Sequence, residues 1–416
     1  MKFGNYRLCV NYSPKFLLYL RFIGSTIKME NVSAILYEFW QTCGVVGTVL
    51  VAVAAITFII ELYYFLRVYA SVAGFRLSKR AKRMAAEPAV SVVVPIFNEN
   101  PDYIDEMLPV LLSQDYDRYE VVAVYVGNDE SFYDDLARLC QLYKHLKTTQ
   151  IAFNPRYPVS TKMALNVGIK AASNEHIITT TTDALPASRR WVALMAKGFT
   201  YNDIVLGYCG VERKSGLCNR LFREYRMATS VAWLAAVIRR HPYGASRHNM
   251  GFTKSLYFSV RGFNHLNMNV GEDDLFIQQI GSADNIGLVL SPKAVCTEKQ
   301  WGGWSWWSNR VRYFGASRRF YPARAKAFTA TEQWARVLFF ASAVATIVLL
   351  PTPLRITAGA MIVLRYLAVE FTVLRLSRRL GEAGIVGLHF LFDIFEPAIR
   401  LLVGLMLCKR NTSVWR

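Results

Sequence analysis

Three apolar runs in the middle of the chain each end in side chains that can hold a polar ligand. Residues 89–95 lead into Pro95-Ile-Phe-Asn98-Glu99, 119–126 into Gly127-Asn-Asp129-Glu-Ser131, and 176–181 into Thr180-Thr-Thr-Asp183. A single Asp after a strand is more often a turn or helix cap than a ligand. Three such ends in register around one crevice point instead to a binding site. Further on, Gly271-Glu272-Asp273-Asp274-Leu275 gathers three carboxylates. By itself that cluster reads as a solvated acidic turn capping the helical pattern at 275–280. No Walker sequence, GxGxxG or HExxH occurs, so a P-loop ATPase, a dehydrogenase and a zincin are not supported.

The elements that must carry these residues follow from periodicity. The runs are short, continuous and largely apolar, the pattern of strands buried on both faces. Between them, 102–113, 133–146 and 162–172 place apolar residues at helical spacing. Strand and helix alternating from residue 88 to about 292 predict an α/β domain with a ligand crevice beyond the carboxyl ends of its strands.

With 53% hydrophobic and 19% charged residues, the 416-residue chain is too apolar for an ordinary soluble enzyme. Residues 39–60 are 22 consecutive positions without a charge, enough for a helix to cross a hydrocarbon core of about 30 Å. Arg67, Arg76, Lys79, Arg80, Lys82 and Arg83 follow, and the positive-inside rule sets the next domain in the cytosol. Lys2, Arg7, Lys15, Arg21 and Lys28 oppose that bias; one explanation is an extended start, with Met29 opening the working protein. At the other end 337–354 is uncharged and contains Pro351 and Pro353, which predicts two helices joined by a short turn, the second at about 354–374. Arg365 and Glu370 within it imply either ion pairing that involves Glu61, Asp393 or Glu396, or a polar path. The last apolar stretch, 384–408, holds Asp393, Glu396, Pro397 and Arg400 and has three readings: a spanning helix, a broken re-entrant segment or an interfacial helix. Lys409 and Arg410 after it favour a cytosolic C-terminus. The net charge of +19 suits anionic lipid and phosphorylated substrates; nucleic acid is disfavoured because the basic clusters flank membrane segments and no recognition motif appears. Seven cysteines without pairing logic read as small buried residues.

Taken in order, the motifs from Ser91 to Phe320 resemble those of membrane-integrated family 2 glycosyltransferases, the group of hyaluronan, cellulose, chitin and poly-N-acetylglucosamine synthases. The resemblance implies an α/β fold: a GT-A-like nucleotide-sugar-binding domain with a mostly parallel sheet, inserted between N- and C-terminal transmembrane helices. SVVVPIFNEN is similar to the family's opening strand and nucleotide loop, which implies Pro95, Asn98 and Glu99 around the base and ribose. Asn128-Asp129-x-Ser131 resembles the Asp-x-Ser segment and implies that Asp129 contacts uracil or ribose. Lys162-Met-Ala-Leu-Asn166 resembles the Lys-x-x-Leu-Asn element, implying donor binding by Lys162, at the diphosphate, and by Asn166. Thr181-Thr182-Asp183 stands in the place of Asp-x-Asp, so the implied Mg²⁺ or Mn²⁺ is left with Asp183 as its motif carboxylate, the substrate phosphates and water supplying the rest. Arg247-His248-Asn249 and the residues after it resemble the acceptor and donor-sugar lining, with Asn249 on the acceptor side. In the catalytic pair Glu272 and Asp273, the second acid is by resemblance the base that takes the proton of the acceptor hydroxyl. Asn309-x-x-Arg312-Tyr313 resembles Gln-x-x-Arg-Trp, implying Arg312 at the diphosphate and Tyr313, with Trp307, at the acceptor. Trp301, Trp304, Trp306 and Trp307 also suit an amphipathic helix at the lipid headgroups.

These readings divide the chain into an N-terminal segment (1–38), a transmembrane helix (39–66), a basic cytosolic linker (67–88), the catalytic domain (89–298), an amphipathic interface segment (299–334) and C-terminal membrane helices (335–416). The implied activity is inverting transfer of a sugar from a nucleotide sugar, most simply a UDP-sugar, to a hydroxyl of a growing polysaccharide or a lipid-linked glycan at the cytoplasmic membrane face. The implied partners are that donor and acceptor, membrane lipids, and subunits for export or modification. Thr181 in place of a carboxylate keeps an alternative in view, a catalytically inactive membrane scaffold of the same fold.

Overall fold

The computed structural model describes residues 29–76, 82–154, 156, 159–263 and 271–408. The expectations for residues 1–28, Lys79, Arg80, Lys409 and Arg410 lie outside them. The first half runs through α1 (Met29–Tyr63), continued by Tyr64–Gly74, then β1 (Val90–Phe97), α2 (Leu108–Leu112), β2 (Tyr119–Val126), α3 (Glu130–Leu142), β3 (Leu146–Ile151), α4 (Thr161–Ala171), β4 (His176–Thr179) and β5 (Ala184–Pro186). Next come α5 (Trp191–Phe199), β6 (Ile204–Gly207), β7 (Cys209–Val211), α6 (Leu217–Ile238), β8 (Met250–Thr253), α7 (Lys254–Ser259), α8 (Asp274–Ile280), β9 (Ile286–Val289) and β10 (Cys296–Glu298). Four helices close the chain: α9 (Trp304–Ala316), α10 (Ala323–Leu349), α11 (Thr352–Leu380) and α12 (His389–Cys408).

The central sheet has the order β3-β2-β1-β4-β8-β6-β9, and β5-β10-β7 form a smaller one. It is mostly parallel, with β8 antiparallel to both β4 and β6. The continuous apolar runs are explained by two cores. Val92, Val94, Val121 and Ala123 pack with Leu108, Leu111, Trp191 and Met195, whereas Val93, Val122 and Val124 pack with Ala164, Leu165 and Ile169. Burying each such valine is worth about 1.5–3 kcal/mol, so both faces of β1 and β2 hold their register strongly. Gly168 sets how close α4 comes, since a Cβ there would run into Val93 and Val124. The helical pattern read over 133–146 ends earlier, at Leu142, and Leu146 opens β3. This strand lies at the sheet edge with its Lys-Thr-Thr-Gln centre only partly buried, and so carries no apolar run. Cys209 and Cys296 are buried as expected, but Cys218 is exposed in the first turn of α6.

Three helical stretches are long and apolar enough to cross a membrane: Gly44–Gly74, Ala323–Leu349 and Thr352–Leu380. The first begins later than residue 39 because Gly44, at φ 63°, interrupts the helix. α10 and α11 are the expected pair, and Pro353 sits in the first turn of α11, where its missing N–H costs nothing. α12 is not among the three, and Pro397 lies within it.

The described residues divide into two compact units, one from 29–59 and 335–363, the other from 60–334 and 364–408. In the first, Phe58 stacks on Phe339 with ring centroids 5.9 Å apart. In the second, the fully buried Arg365 donates to Glu61 at 2.8 Å and to Asp393 at 2.6 Å, the ion-pair alternative for that residue. His389 extends the chain of charges, lying 3.3 Å from Asp393 and 2.7 Å from Glu224 of α6. Glu370 instead accepts the backbone N–H groups of Gly387 and His389.

Candidate active site

The antiparallel insertion of β8 beside β4 builds the first half of the site. Thr179 and Thr180 donate to the carbonyls of Arg247 (3.4 Å) and His248 (3.0 Å), which brings Arg247 and His248 to the turn carrying Asp183. Thr181 Oγ1 donates to Asp183 Oδ1 at 2.6 Å and lies 2.6 Å from Nδ1 of the buried His248. A hydroxyl that gives its proton to a carboxylate must accept from the imidazole, which assigns the His248 proton to Nδ1. Thr181 therefore links His248 to Asp183 through its hydroxyl. Burial pulls His248 down to about 4 against the opposing pull of Glu298 and Asp183, so the ring is neutral at pH 7. Asp183 Oδ2 accepts from Arg310 at 2.5 Å. Burial would raise the Asp183 carboxyl, but His248, Arg310 and Thr181 outweigh it and hold it at about 2. Glu298, at the end of β10, ties this group together by pairing with Arg226 at 2.5 Å and with Arg310 at 2.6 Å.

The second half is the acidic turn before α8, and it is not a solvated one. Glu272, Asp273 and Asp274 are all buried, and Gly271 makes the turn at φ 98°. Each carboxylate has a different setting. Glu272 accepts from the Tyr313 hydroxyl (2.5 Å) and from Arg247 (3.1 Å), while the Arg247 guanidinium lies 4.5 Å over the Tyr313 ring. Asp274 accepts from the hydroxyls of Ser317 and Tyr321. Asp273 caps α8 through the Asp274 N–H at 2.8 Å, and its other oxygen accepts the backbone N–H of Arg247 at 3.3 Å. Burial first, then Asp274 and Glu272, push the Asp273 carboxyl well above the usual range. Asp273 and Asp274 line a cavity of about 240 Å³ whose walls include Thr229, Tyr243, Ser246 and Arg318. Among the described residues, the buried hydroxyls of Ser246 and Thr229 have no hydrogen-bond partner. Arg247 joins the two halves, since its charge is felt by both Asp183 and Asp273.

The expected donor-side residues lie at strand ends and helix starts. Pro95 is buried in β1 beyond the span that pairs with β4, where its missing N–H breaks no ladder bond on that side. Asn98 follows at φ 58°, a left-handed conformation that Asn tolerates better than most residues, and Glu99 is exposed. Asp129 caps α3 by accepting from the Phe132 N–H at 2.6 Å. Lys162 is largely buried in the first turn of α4; burial lowers its pKa and Glu272 partly restores it. Asn166, one turn on, accepts from Tyr257 at 3.1 Å.

Packing commits three of the expected residues to partners within the protein. Arg312 bonds back to Ser308 and Asn309 on its own helix, and Arg310 is the arginine that reaches Asp183. Residues two apart on a helix point about 200° apart, so only one of the pair can face the acidic group. Asn249 is fully buried with its amide committed: it donates to the carbonyls of Tyr208 and Ala294 and accepts from Trp191, which makes it a framework group rather than an acceptor contact. Trp307 stacks on Phe222 with centroids 5.1 Å apart and meets Tyr225 edge-on, so its ring is enclosed; Trp301 and Trp304 are the exposed ones. Arg226, Glu298 and Arg310 are site residues to which the sequence reading gave no role, and Arg247 and His248 entered it only as members of a lining segment. Arg310 lay inside a motif, whereas Arg226 and Glu298 lie outside all of them, and no spacing rule links the five.

Residues 91–260 match the glycosyl transferase family 2 model. The chain is thus a glycosyltransferase carrying a family 2 domain. No curated protein matches the chain by sequence. Among solved structures, the mannosyltransferase PcManGT from Pyrobaculum calidifontis, in complex with GDP-Man and Mn²⁺, is similar at 21% identity and a TM-score of 0.52, over 79% of this chain and 95% of that one. That likeness establishes the GT-A-like fold. S. aureus TarS 1-349 is similar at 18% identity and a TM-score of 0.38, over 68% of this chain and 82% of that one.

Proposed function

We propose that the protein is an inverting glycosyltransferase of the membrane surface. It takes a sugar from a nucleotide sugar, most simply a UDP-sugar, and passes it to a hydroxyl of a polysaccharide or lipid-linked glycan at the cytoplasmic face. The observation that carries this reading is the buried acidic turn in which Glu272 and Asp274 accept from side-chain hydroxyls while Asp273 accepts from backbone N–H groups, with Asp273 and Asp274 lining a cavity of about 240 Å³. A carboxylate raised by burial and like charges is a stronger base once ionised. In the reaction the acceptor oxygen bonds to the anomeric carbon, its proton passes to Asp273, and the bond to the diphosphate breaks with its electron pair leaving on the nucleotide. Lys162 and Arg247 supply positive charge near the crevice, and Arg312 would reach the leaving diphosphate only by giving up its bonds to Ser308 and Asn309.

Asp183 fits Mg²⁺ or Mn²⁺ as a single hard-oxygen ligand, ionised at working pH and at the crevice end of the sheet. The described residues hold no group of three or more metal-ligating side chains, so diphosphate oxygens and water would complete the shell. Such an ion offsets the charge that develops on the leaving diphosphate. Its bond to Asp183 competes with that of Arg310.

The test is nucleoside diphosphate release by the full chain in nanodiscs across UDP- and GDP-sugars with Mg²⁺ or Mn²⁺. Release from one donor, lost by about 10²–10⁴-fold in Asp273→Asn, is expected. Unchanged release in Asp273→Asn would sink the assignment of the base.

A further inference from the structure

A second cavity, of about 320 Å³, shares Tyr243 with the first. It is lined by Arg239, Arg240 and His241 after α6, by Pro322, Arg324, Ala325 and Phe328 at the start of α10, and by Ala236 and Tyr243. The floor is apolar and the rim cationic. Of the three arginines Arg240 has a carboxylate partner, Asp284 at 2.5 Å. Arg239 is held by the hydroxyl and ring of Tyr63, and Arg324 makes no hydrogen bond or ion pair among the described residues. Arg239 and Arg240 also complement the negative end of α6, but that does not account for Arg324, which comes from another helix.

The position selects the ligand. Arg324 is in the first turn of α10, a helix long and apolar enough to cross a membrane, and Phe328 follows one turn further in. A cationic rim over an apolar floor at that level matches an amphiphile with an anionic head. Tyr243 lines both this groove and the Asp273 cavity, packing on Tyr321 on one side and Phe328 on the other.

We propose that the groove seats the phosphate of a membrane lipid phosphate between Arg239 and Arg324, with the group esterified to that phosphate directed past Tyr243 towards Asp273. The acceptor is then a glycan carried on lipid phosphate rather than a free polysaccharide end, a conclusion that rests on the transferase reading above. The unpartnered hydroxyls of Ser246 and Thr229 are suited to hold sugar hydroxyls in the inner cavity.

The test uses the full chain in phosphatidylcholine nanodiscs, titrated with farnesyl phosphate, farnesol and inorganic phosphate in parallel. Farnesyl phosphate is expected to bind, and farnesol or inorganic phosphate at the same concentrations is not. Arginines near an anionic group are worth about fivefold each, so Arg239→Ala with Arg324→Ala should weaken farnesyl phosphate binding by roughly 30-fold. The double lysine variant should retain most of it. Equal binding by farnesol, equal binding by inorganic phosphate, or wild-type binding by the double alanine variant would each overturn the proposal. The two readings fail separately. Donor turnover without arginine-dependent farnesyl phosphate binding removes the groove and leaves the transferase; arginine-dependent binding without turnover of any donor does the reverse.

Discussion

Replacing Arg310 by methionine should weaken the fold and tighten a metal at the same time. The guanidinium is shared between Asp183 at 2.5 Å and Glu298 at 2.6 Å, and its side chain is 23% exposed. Breaking a fully buried ion pair costs about 3–5 kcal/mol. Here the cost is smaller, about 2–3 kcal/mol, because Glu298 keeps Arg226, Asp183 keeps Thr181, and water reaches the pair. A methionine retains the aliphatic stem but loses the guanidinium that lies 5.7 Å over the Trp306 ring. Thermal unfolding should fall by roughly 4–12 °C. The other side of the exchange is the freed Oδ2 of Asp183. A charge-assisted hydrogen bond is worth about 1.5–3 kcal/mol, so Mn²⁺ that uses this oxygen should bind roughly 10- to 100-fold more tightly. The Asp183 carboxyl would rise from about 2 towards its ordinary value but stay ionised at pH 7, leaving the ligand's charge unchanged. Mn²⁺ titration followed by electron paramagnetic resonance, with nucleoside diphosphate present, reads the affinity directly. Unchanged or weaker Mn²⁺ binding in Arg310→Met would refute the shared-oxygen argument, whatever happened to stability.

Three further outcomes follow from the site and the helix bundle. The raised Asp273 carboxyl must be ionised to act, so kcat/KM should fall on the acid side as it protonates; Asp274→Asn removes one of the charges raising it and should move that limb to lower pH, which a pH–rate profile checks. The stability signs are opposite for the two acids: raised Asp273 favours the fold at low pH and loses that contribution as pH rises past the ordinary carboxylate value, whereas depressed Asp183 contributes above that value and loses it as pH falls towards about 2. Arg365→Leu should cost about 3–5 kcal/mol, since it strands Glu61 and Asp393 without their shared cation; adding Glu61→Gln and Asp393→Asn should recover much of the loss in detergent thermal unfolding. Full stability in the single variant would contradict the buried network.

The sequence by itself determined the strands that are buried on both faces, because continuous apolar runs are the only composition two cores accept; β1, β2 and β4 were legible for that reason. It also determined the apolar helices and a charged residue within one of them that needed partners, because lipid and core alike penalise an unpaired charge. Edge strand β3 was illegible, being half solvated and polar. The site needed the tertiary structure. Thr181 and His248 are 67 positions apart, and only the pairing of β8 with β4 makes them a relay to Asp183. Arg310 and Arg312 are chemically identical, and only the rotation of α9 about its axis chooses which one meets the carboxylates. Arg239 follows one helix and Arg324 opens another, so their common groove exists only in the packed chain, where Tyr243 meets both Tyr321 and Phe328. Local pattern records which face of an element is buried; the identity of the partner across the gap is a property of the packed chain.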